Sequence, residues 1–278
     1  MSISRLMQMG AAGAPKGEPW LADLANASYD SVSFNVLPQT TDGRGLFFKP
    51  DGTKMYLVSL GADVFEYDLS TAWDLSTASY NQALDIPSPA DAYGVQGMFI
   101  DPTGEILFIS TGTTDTIYEY GLSTPWDIST ATYSSVSLSV TSQDTSPHNI
   151  FFKPDGTKMY MVGTSSDAVH QYDLSSAWDI STASFIGSFS VASQETAPRS
   201  IFFSPNGDYM YMLGTIADAV FEYPLSTAWD LSTASYDSVS FSIAAQNPAF
   251  LGLYFKTDGS KMYAAGVAPD YVYQYTTA

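Results

Sequence analysis

The chain has 278 residues, a formal net charge of −19 and no cysteine. That charge excludes nucleic acid and anionic membrane surfaces as natural partners, because both demand a basic footprint. The missing cysteines exclude disulfides and thiolate chemistry, and no apolar run is long enough to span a bilayer.

Residues 1–18, MSISRLMQMGAAGAPKGE, stand outside any repeat. They lack a signal-peptide apolar core, so secretory export is not expected. Such a terminus is either a loose end or an arm that orders against a partner. From Trp20 onward the chain is periodic. The string FFKPDGTKMY occurs at Phe47–Tyr56 and again at Phe151–Tyr160. Variants follow Met98 (MFIDPTGEILF), Phe202 (FFSPNGDYMY) and Tyr254 (YFKTDGSKMY). The turn glycines Gly52, Gly104, Gly156, Gly207 and Gly259 are spaced by 52, 52, 51 and 52 residues. Apolar runs flanking a Pro-Asp-Gly turn predict a hairpin, and a fifty-residue period predicts one blade per copy.

Each unit reads as four strands, here A to D. In the first unit A is Gly45–Phe48, B is Lys54–Leu60, C is Val64–Leu69 and D is Ser79–Ile86. Strand B is apolar on both faces, whereas D alternates as an outer edge strand does. The segments around Trp73, Trp126, Trp178 and Trp229 join C to D. The last unit stops after C at Ala278, and an unpaired D-type strand precedes the first A, near Ser28–Val36. The expected fold is therefore an all-β, five-bladed β-propeller with four antiparallel strands per blade, its last blade closed by the N-terminal strand. Its expected domains are an arm, 1–18, and a propeller, 19–278.

The A–B hairpin with its P-[DN]-G turn resembles the broad YVTN/NHL-like propeller repeats. The paired glycines of kelch and the Gly-His/Trp-Asp spacing of WD40 repeats are missing. The opening MSISRLMQMGAAGA and the LST-x-WD-[LI]-STA-[ST]-[YF] segments resemble virion structural proteins of marine tailed bacteriophages. That resemblance implies a tail fibre, appendage or capsid decoration, assembled in a host cytoplasm. The arm would attach it to other virion proteins, with Arg5, Leu6, Met7 and Met9 as candidate contacts. It leaves open a homo-oligomer within the assembly and contact with a host-surface glycan.

Residues that recur from copy to copy read as architecture. Asp51, Asp155, Asn206 and Asp258 precede the turn glycines, and Asp74, Asp127, Asp179 and Asp230 follow the tryptophans; both series suit local caps. Asp115, Asp167, Asp218 and Asp270 open strand C, with Asp63 one step off register. Lys49, Lys54, Lys153, Lys158, Lys256 and Lys261 flank the A–B turns, either as balance for neighbouring aspartates or as a docking face. His170 takes a place held elsewhere by Phe or Tyr, as a packed aromatic would.

One position varies. Just before strand A the copies carry Arg44, Gln96, His148, Arg199 and Leu251. Inner strands line the axis, so these should ring one mouth of the channel, opposite the arm. The four polar members are the candidate contacts for an anionic or sugar-like ligand, with channel-filling side chains as the alternative. Loop carboxylates Asp42, Asp91, Asp144 and Glu195, with Tyr93 and Phe250, could add a shallow sugar platform. No nucleophile–base pair, zinc-type cluster or phosphate-cradling loop is visible, so neither metal nor cofactor is expected. The expectation is a non-enzymatic, particle-borne propeller. A free-standing lectin-like propeller is the alternative, and a glycosidase using two loop carboxylates is a further one.

Overall fold

The computed structural model describes residues 20–90 and 94–278. The arm residues Arg5, Leu6, Met7 and Met9, and the loop residues Asp91 and Tyr93, lie outside the described residues. Five four-stranded antiparallel sheets stand around one axis, as the repeat count requires. Blade one holds β2 (Gly43–Phe48), β3 (Lys54–Ser59), β4 (Asp63–Leu69) and β5 (Ala78–Asp85). Blade two holds β6 (Val95–Ile100), β7 (Ile106–Thr111), β8 (Thr116–Leu122) and β9 (Ala131–Ser139). Blade three holds β10 (Pro147–Phe152), β11 (Lys158–Gly163), β12 (Ala168–Leu174) and β13 (Ala183–Ser190). Blade four holds β14 (Pro198–Phe203), β15 (Tyr209–Gly214), β16 (Ala219–Pro224) and β17 (Ser240–Ser242). Blade five holds β18 (Phe250–Phe255), β19 (Lys261–Gly266), β20 (Tyr271–Thr276) and, from the other end of the chain, β1 (Ser28–Asn35).

The Pro-Asp-Gly turns form because glycine takes a left-handed conformation there; Gly52 has φ +75° and Gly156 φ +72°. Asp51 Oδ1 accepts the Thr53 amide at 3.0 Å and its hydroxyl at 2.6 Å, closing an Asx turn. A side chain at Gly52 would also collide with the Trp73 indole, which lies on its α-carbon. Each of these lysines carries a carboxylate partner: Lys49, Lys153 and Lys256 pair with the turn aspartates, Lys54 with Glu66 and Asp68, Lys158 with Asp173, and Lys261 with Asp30. Local charge balance therefore accounts for this lysine set.

The tryptophans couple neighbouring blades. Tyr56, Tyr160 and Tyr263 of the second strands donate to the main-chain oxygens of Trp126, Trp229 and Trp73 in the next blade, at 2.9, 2.6 and 2.5 Å. At the blade-four to blade-five joint the bond is reversed, Trp20 Nε1 donating to the Tyr211 hydroxyl at 2.9 Å. On the axis, Phe47, Phe99, Phe151, Phe202 and Tyr254 form a closed pentagon, each ring meeting its neighbours edge to face at 5.2–5.6 Å. A void of about 10 Å³ lies beside them, and the five rings fill the axis at their level.

The closing strand is held by charge. Asp30 of β1 accepts from Lys261 Nζ at 2.6 Å, Thr276 Oγ1 at 2.6 Å and Gln274 Nε2 at 2.8 Å. Burial pushes its carboxyl up, but those hydrogen bonds outweigh it and hold it below the usual range. The same SYDSVSF string recurs at Ser235–Phe241, yet there it gives only the three-residue β17. By the register of the inner strands, Tyr209, Glu222 and Pro224 stand where blade five carries Lys261, Gln274 and Thr276, the three partners of Asp30. A like charge and a missing donor replace the ion pair, and the outer strand shortens.

The Tyr160 latch is testable because Phe108 already occupies the equivalent place in blade two. Tyr160→Phe should lower the unfolding free energy by about 1 kcal/mol in a urea titration, the worth of one buried hydrogen bond. A midpoint and slope unchanged from wild type would show that the latch contributes nothing.

Candidate functional site: the polar arc at the channel mouth

The first strand of each blade starts on one face and ends at the Pro-Asp-Gly turn on the other. Its second residue is therefore displayed above the aromatic pentagon. Arg44, Gln96, His148 and Arg199 meet there as one connected arc, and half-buried Leu251 completes the circle. Arg44 Nη1 donates to Gln96 Oε1 at 2.6 Å. His148 Nδ1 lies 3.0 Å from the same oxygen, and its Nε2 lies 2.6 Å from Arg199 Nη1. Gln96 Oε1 and the guanidinium settle the tautomer: Nδ1 carries the proton and Nε2 accepts.

The electrostatics follow from burial. His148 is 4 % exposed, and desolvation, then Arg199, then Arg44 push its pKa down to about 3. It is neutral at pH 7. Arg44 is neutralised in part by Asp42, 3.2 Å away. Arg199 has no carboxylate within ion-pair distance among the described residues, and burial, then Arg44, lower its pKa against an opposing pull from Glu195. A chain of strong negative charge thus presents a desolvated guanidinium at the centre of one face.

Other sequence candidates have different tasks. Asp144 accepts the Ser146 amide at 2.7 Å and the Ser166 amide and hydroxyl at 2.9 and 2.6 Å, so it ties its loop to the next turn of the same blade. Glu195 does likewise with the amides of Ala197 and Ala217, at 2.7 and 3.0 Å. Both are 2 % exposed, which removes them from a two-carboxylate glycosidase arrangement. Phe250 is fully buried against Tyr273 and offers no sugar platform. His170 is packed beside Phe185 as an aromatic would be, and its Nε2 also bonds Ser166 Oγ at 2.9 Å. Asp74, Asp127, Asp179 and Asp230 each accept the amide two residues on, as caps. No group of three or more metal-ligating side chains occurs among the described residues.

One feature was not read from the sequence. Beside Arg44 lies an open cleft of about 400 Å³ between the loop Leu37–Asp42 and the turn Ser59–Asp63. Its signal is a departure inside the repeat. Counting back from the arc position, Thr40 stands where Asp144, Glu195 and Asn247 stand in blades three to five.

The fold and site define a five-bladed β-propeller with a polar, arginine-bearing bowl on one face. The family described as a seven-bladed β-propeller lactonase matches residues 129–266, just under half of the chain, a stretch that includes His148 and Arg199. No curated protein matches the chain. Among solved structures, a functionally unknown protein from Desulfotomaculum acetoxidans is 16% identical with a TM-score of 0.51, over 81% of this chain and 65% of that one. A protein from Bacteroides uniformis, provisionally described as a 6-phosphogluconolactonase, is 14% identical with a TM-score of 0.51, over 80% of this chain and 62% of its own. A protein of the same provisional description from Bacteroides fragilis gives 14% and 0.50, over 80% and 62%. This chain thus spans less than two thirds of each, and at these identities the likeness is one of fold.

The match to an enzyme family corrects the expectation of a non-enzymatic protein. That expectation rested on missing nucleophile–base pairs and zinc clusters. Lactone opening needs neither, since water can attack an activated ester while cationic donors take up the oxyanion charge.

The imidazole makes a pH prediction. Its folded pKa of about 3 lies below the unfolded value near 6.5, so the unfolded chain takes the proton first. Stability is then fully present above about pH 6.5 and falls as pH drops towards 3. Burial lowers the pKa of His170 as well, against an opposing pull from Asp144, so it acts in the same direction. His148→Gln should flatten the stability-versus-pH slope between about 6.5 and 4.5, measured by urea melts, where most carboxylates are still charged. A slope identical to wild type would mean that His148 titrates normally.

Proposed function

We propose that the mouth binds an anionic, carbohydrate-like ligand on Arg44 and Arg199, and that the reaction carried out there is hydrolysis of a lactone. One observation carries this reading: two half-buried guanidiniums are bonded through Gln96 and a neutral imidazole into one arc, on an otherwise acidic chain. The partial likeness to lactonases supports the reaction class. A water oxygen would add to the ester carbonyl, and the guanidiniums would stabilise the developing oxyanion. The ring C–O bond then breaks, and the proton lost by water passes to the released ring oxygen, giving a hydroxy acid. At a pKa of about 3 the His148 ring is a weak base, so its part is to hold Arg199 and Gln96 in place.

The test is release of acid from glucono-lactone and its 6-phosphate, followed with a pH indicator against the uncatalysed rate. Arg199→Ala should lower kcat/KM by about 10²–10³-fold, the usual effect of losing one oxyanion donor. A wild-type rate equal to that of buffer would sink the hydrolytic part, and calorimetry with inorganic phosphate would decide the binding part separately.

A second reading concerns where the propeller works. The chain joins the disc at Trp20 and Leu21, against the turn of Asp258 and Gly259, on the face opposite the arginines. With the phage-like opening sequence, this favours an arm fixed to a virion with the mouth turned outward to host glycans. Deleting residues 1–18 should abolish incorporation into particles while phosphate binding persists; normal incorporation would reject the arm's role.

A further inference from the structure

The cleft beside Arg44 has a cause. In blades three to five a side chain locks the loop before the first strand onto the turn after the second. Asp144 and Glu195 do so as described, and Asn247 donates to the Pro269 carbonyl at 2.7 Å and accepts the Ala249 amide at 2.9 Å. Each lock packs over a glycine, Gly163, Gly214 or Gly266, where any side chain would collide with it. Blade one breaks both halves of the device: Thr40 replaces the lock and Ser59 replaces the glycine. Thr40 is too short to reach across. Its hydroxyl instead accepts the Asp42 amide at 3.0 Å, and the gap between loop and turn stays open.

The open gap mixes polar and apolar walls, with Leu37 and Leu60 standing among the polar side chains. Its walls include Gln39, Thr40, Thr41 and Asp42 from the loop, and Ser59 and Gly61 from the turn. The side-chain amide of Gln39 and the Thr41 hydroxyl make no hydrogen bond among the described residues. At about 400 Å³ the space is of the size that small ligands occupy, about 300–1,000 Å³. Asp42 belongs to both places, since it lines the cleft and its carboxylate also holds Arg44, Nη2 donating to Oδ2 at 3.2 Å.

We propose that this cleft is a second subsite, which takes the hydroxylated body of a ligand whose anionic group rests on Arg44 and Arg199. The inference rests on the anion-binding reading of the mouth. Polar side chains set beside Leu37 and Leu60 suit a sugar, which carries hydroxyls at its edge and C–H groups on its ring face. Asp42 couples the two parts: ligand hydroxyls draw on its oxygens, which leaves Arg44 freer to meet the anion.

Calorimetry on the full chain with three probes separates the parts: inorganic phosphate, glucose 6-phosphate and glucose. Glucose 6-phosphate should bind at least tenfold more tightly than phosphate. Gly61→Phe would fill the cleft, since a Cβ at Gly61 makes only ordinary contacts, 3.5 Å from Ser59 Oγ and 3.8 Å from Asp63 Oδ2. It should collapse the margin between the two ligands to below twofold. Asp42→Asn, a milder change, should tighten phosphate several-fold, by freeing Arg44, while narrowing the same margin. The subsite is overturned if glucose 6-phosphate shows no margin over phosphate, or if folded Gly61→Phe keeps the margin. Phosphate binding with no margin leaves the arginine reading standing alone. Glucose bound and lost in Gly61→Phe, without any phosphate affinity, supports the subsite and removes the arginine reading. No binding by any probe removes both.

Discussion

Five aromatic rings on the axis set the terms for everything above them. Phe47, Phe99, Phe151, Phe202 and Tyr254 close a pentagon in which every ring presents its edge to one neighbour's face. Each such pair contributes about 0.5–1.5 kcal/mol beyond its burial. Geometry matters more than the sum. With five blades the axis is narrow enough for one ring per blade to fill it; with seven, the same side chains could not meet. The lactonase family is described with seven blades, so positions around its axis do not map one to one onto this chain. Likeness over residues 129–266 takes in His148 and Arg199 but not Arg44 or Gln96, which the fivefold closure brings beside them.

The plug also explains the chemistry of the arc. Side chains standing above dry aromatic rings cannot hydrate from below, so they bond laterally to one another. Gln96 takes donors from Arg44 and His148, and His148 takes one from Arg199. A neutral imidazole between two cations is the low-energy outcome, because a third positive charge there would be neither solvated nor paired. Burial, Arg199 and Arg44 all act in that direction.

Much of this was legible in the sequence, for a physical reason. Turn chemistry is local: Pro-Asp-Gly with its Asx bond requires no knowledge of the partner strand, so hairpins, period and blade count could be counted. The closing strand was legible because the copies are incomplete at complementary ends. Outer strands were less so. SYDSVSF at Ser28–Phe34 makes a long strand, and the identical string at Ser235–Phe241 makes a stub. The difference lies in Lys261 against Tyr209, Gln274 against Glu222 and Thr276 against Pro224, none of which is in the string. The loop carboxylates misled for a related reason. Asp42 and Asp144 look alike, but Asp42 lies two places beyond the locking position, where it reaches Arg44 and not the turn.

A repeat is therefore most informative where it fails. Locks, latches and caps that hold in most blades describe what the fold needs, and a blade that omits one shows what the fold can spare. Blade one spares the lock at Thr40 next to the Arg44–Asp42 pair, and a cleft stands open there. The net charge of −19 bears on the same place. At long range it repels an anion, but at about 0.15 M salt that field decays within about 8 Å. The guanidiniums act at contact, within that distance. On the anion-binding reading, an acidic surface around two half-buried arginines would discourage anions at a distance and hold only one that reaches Arg199 at contact.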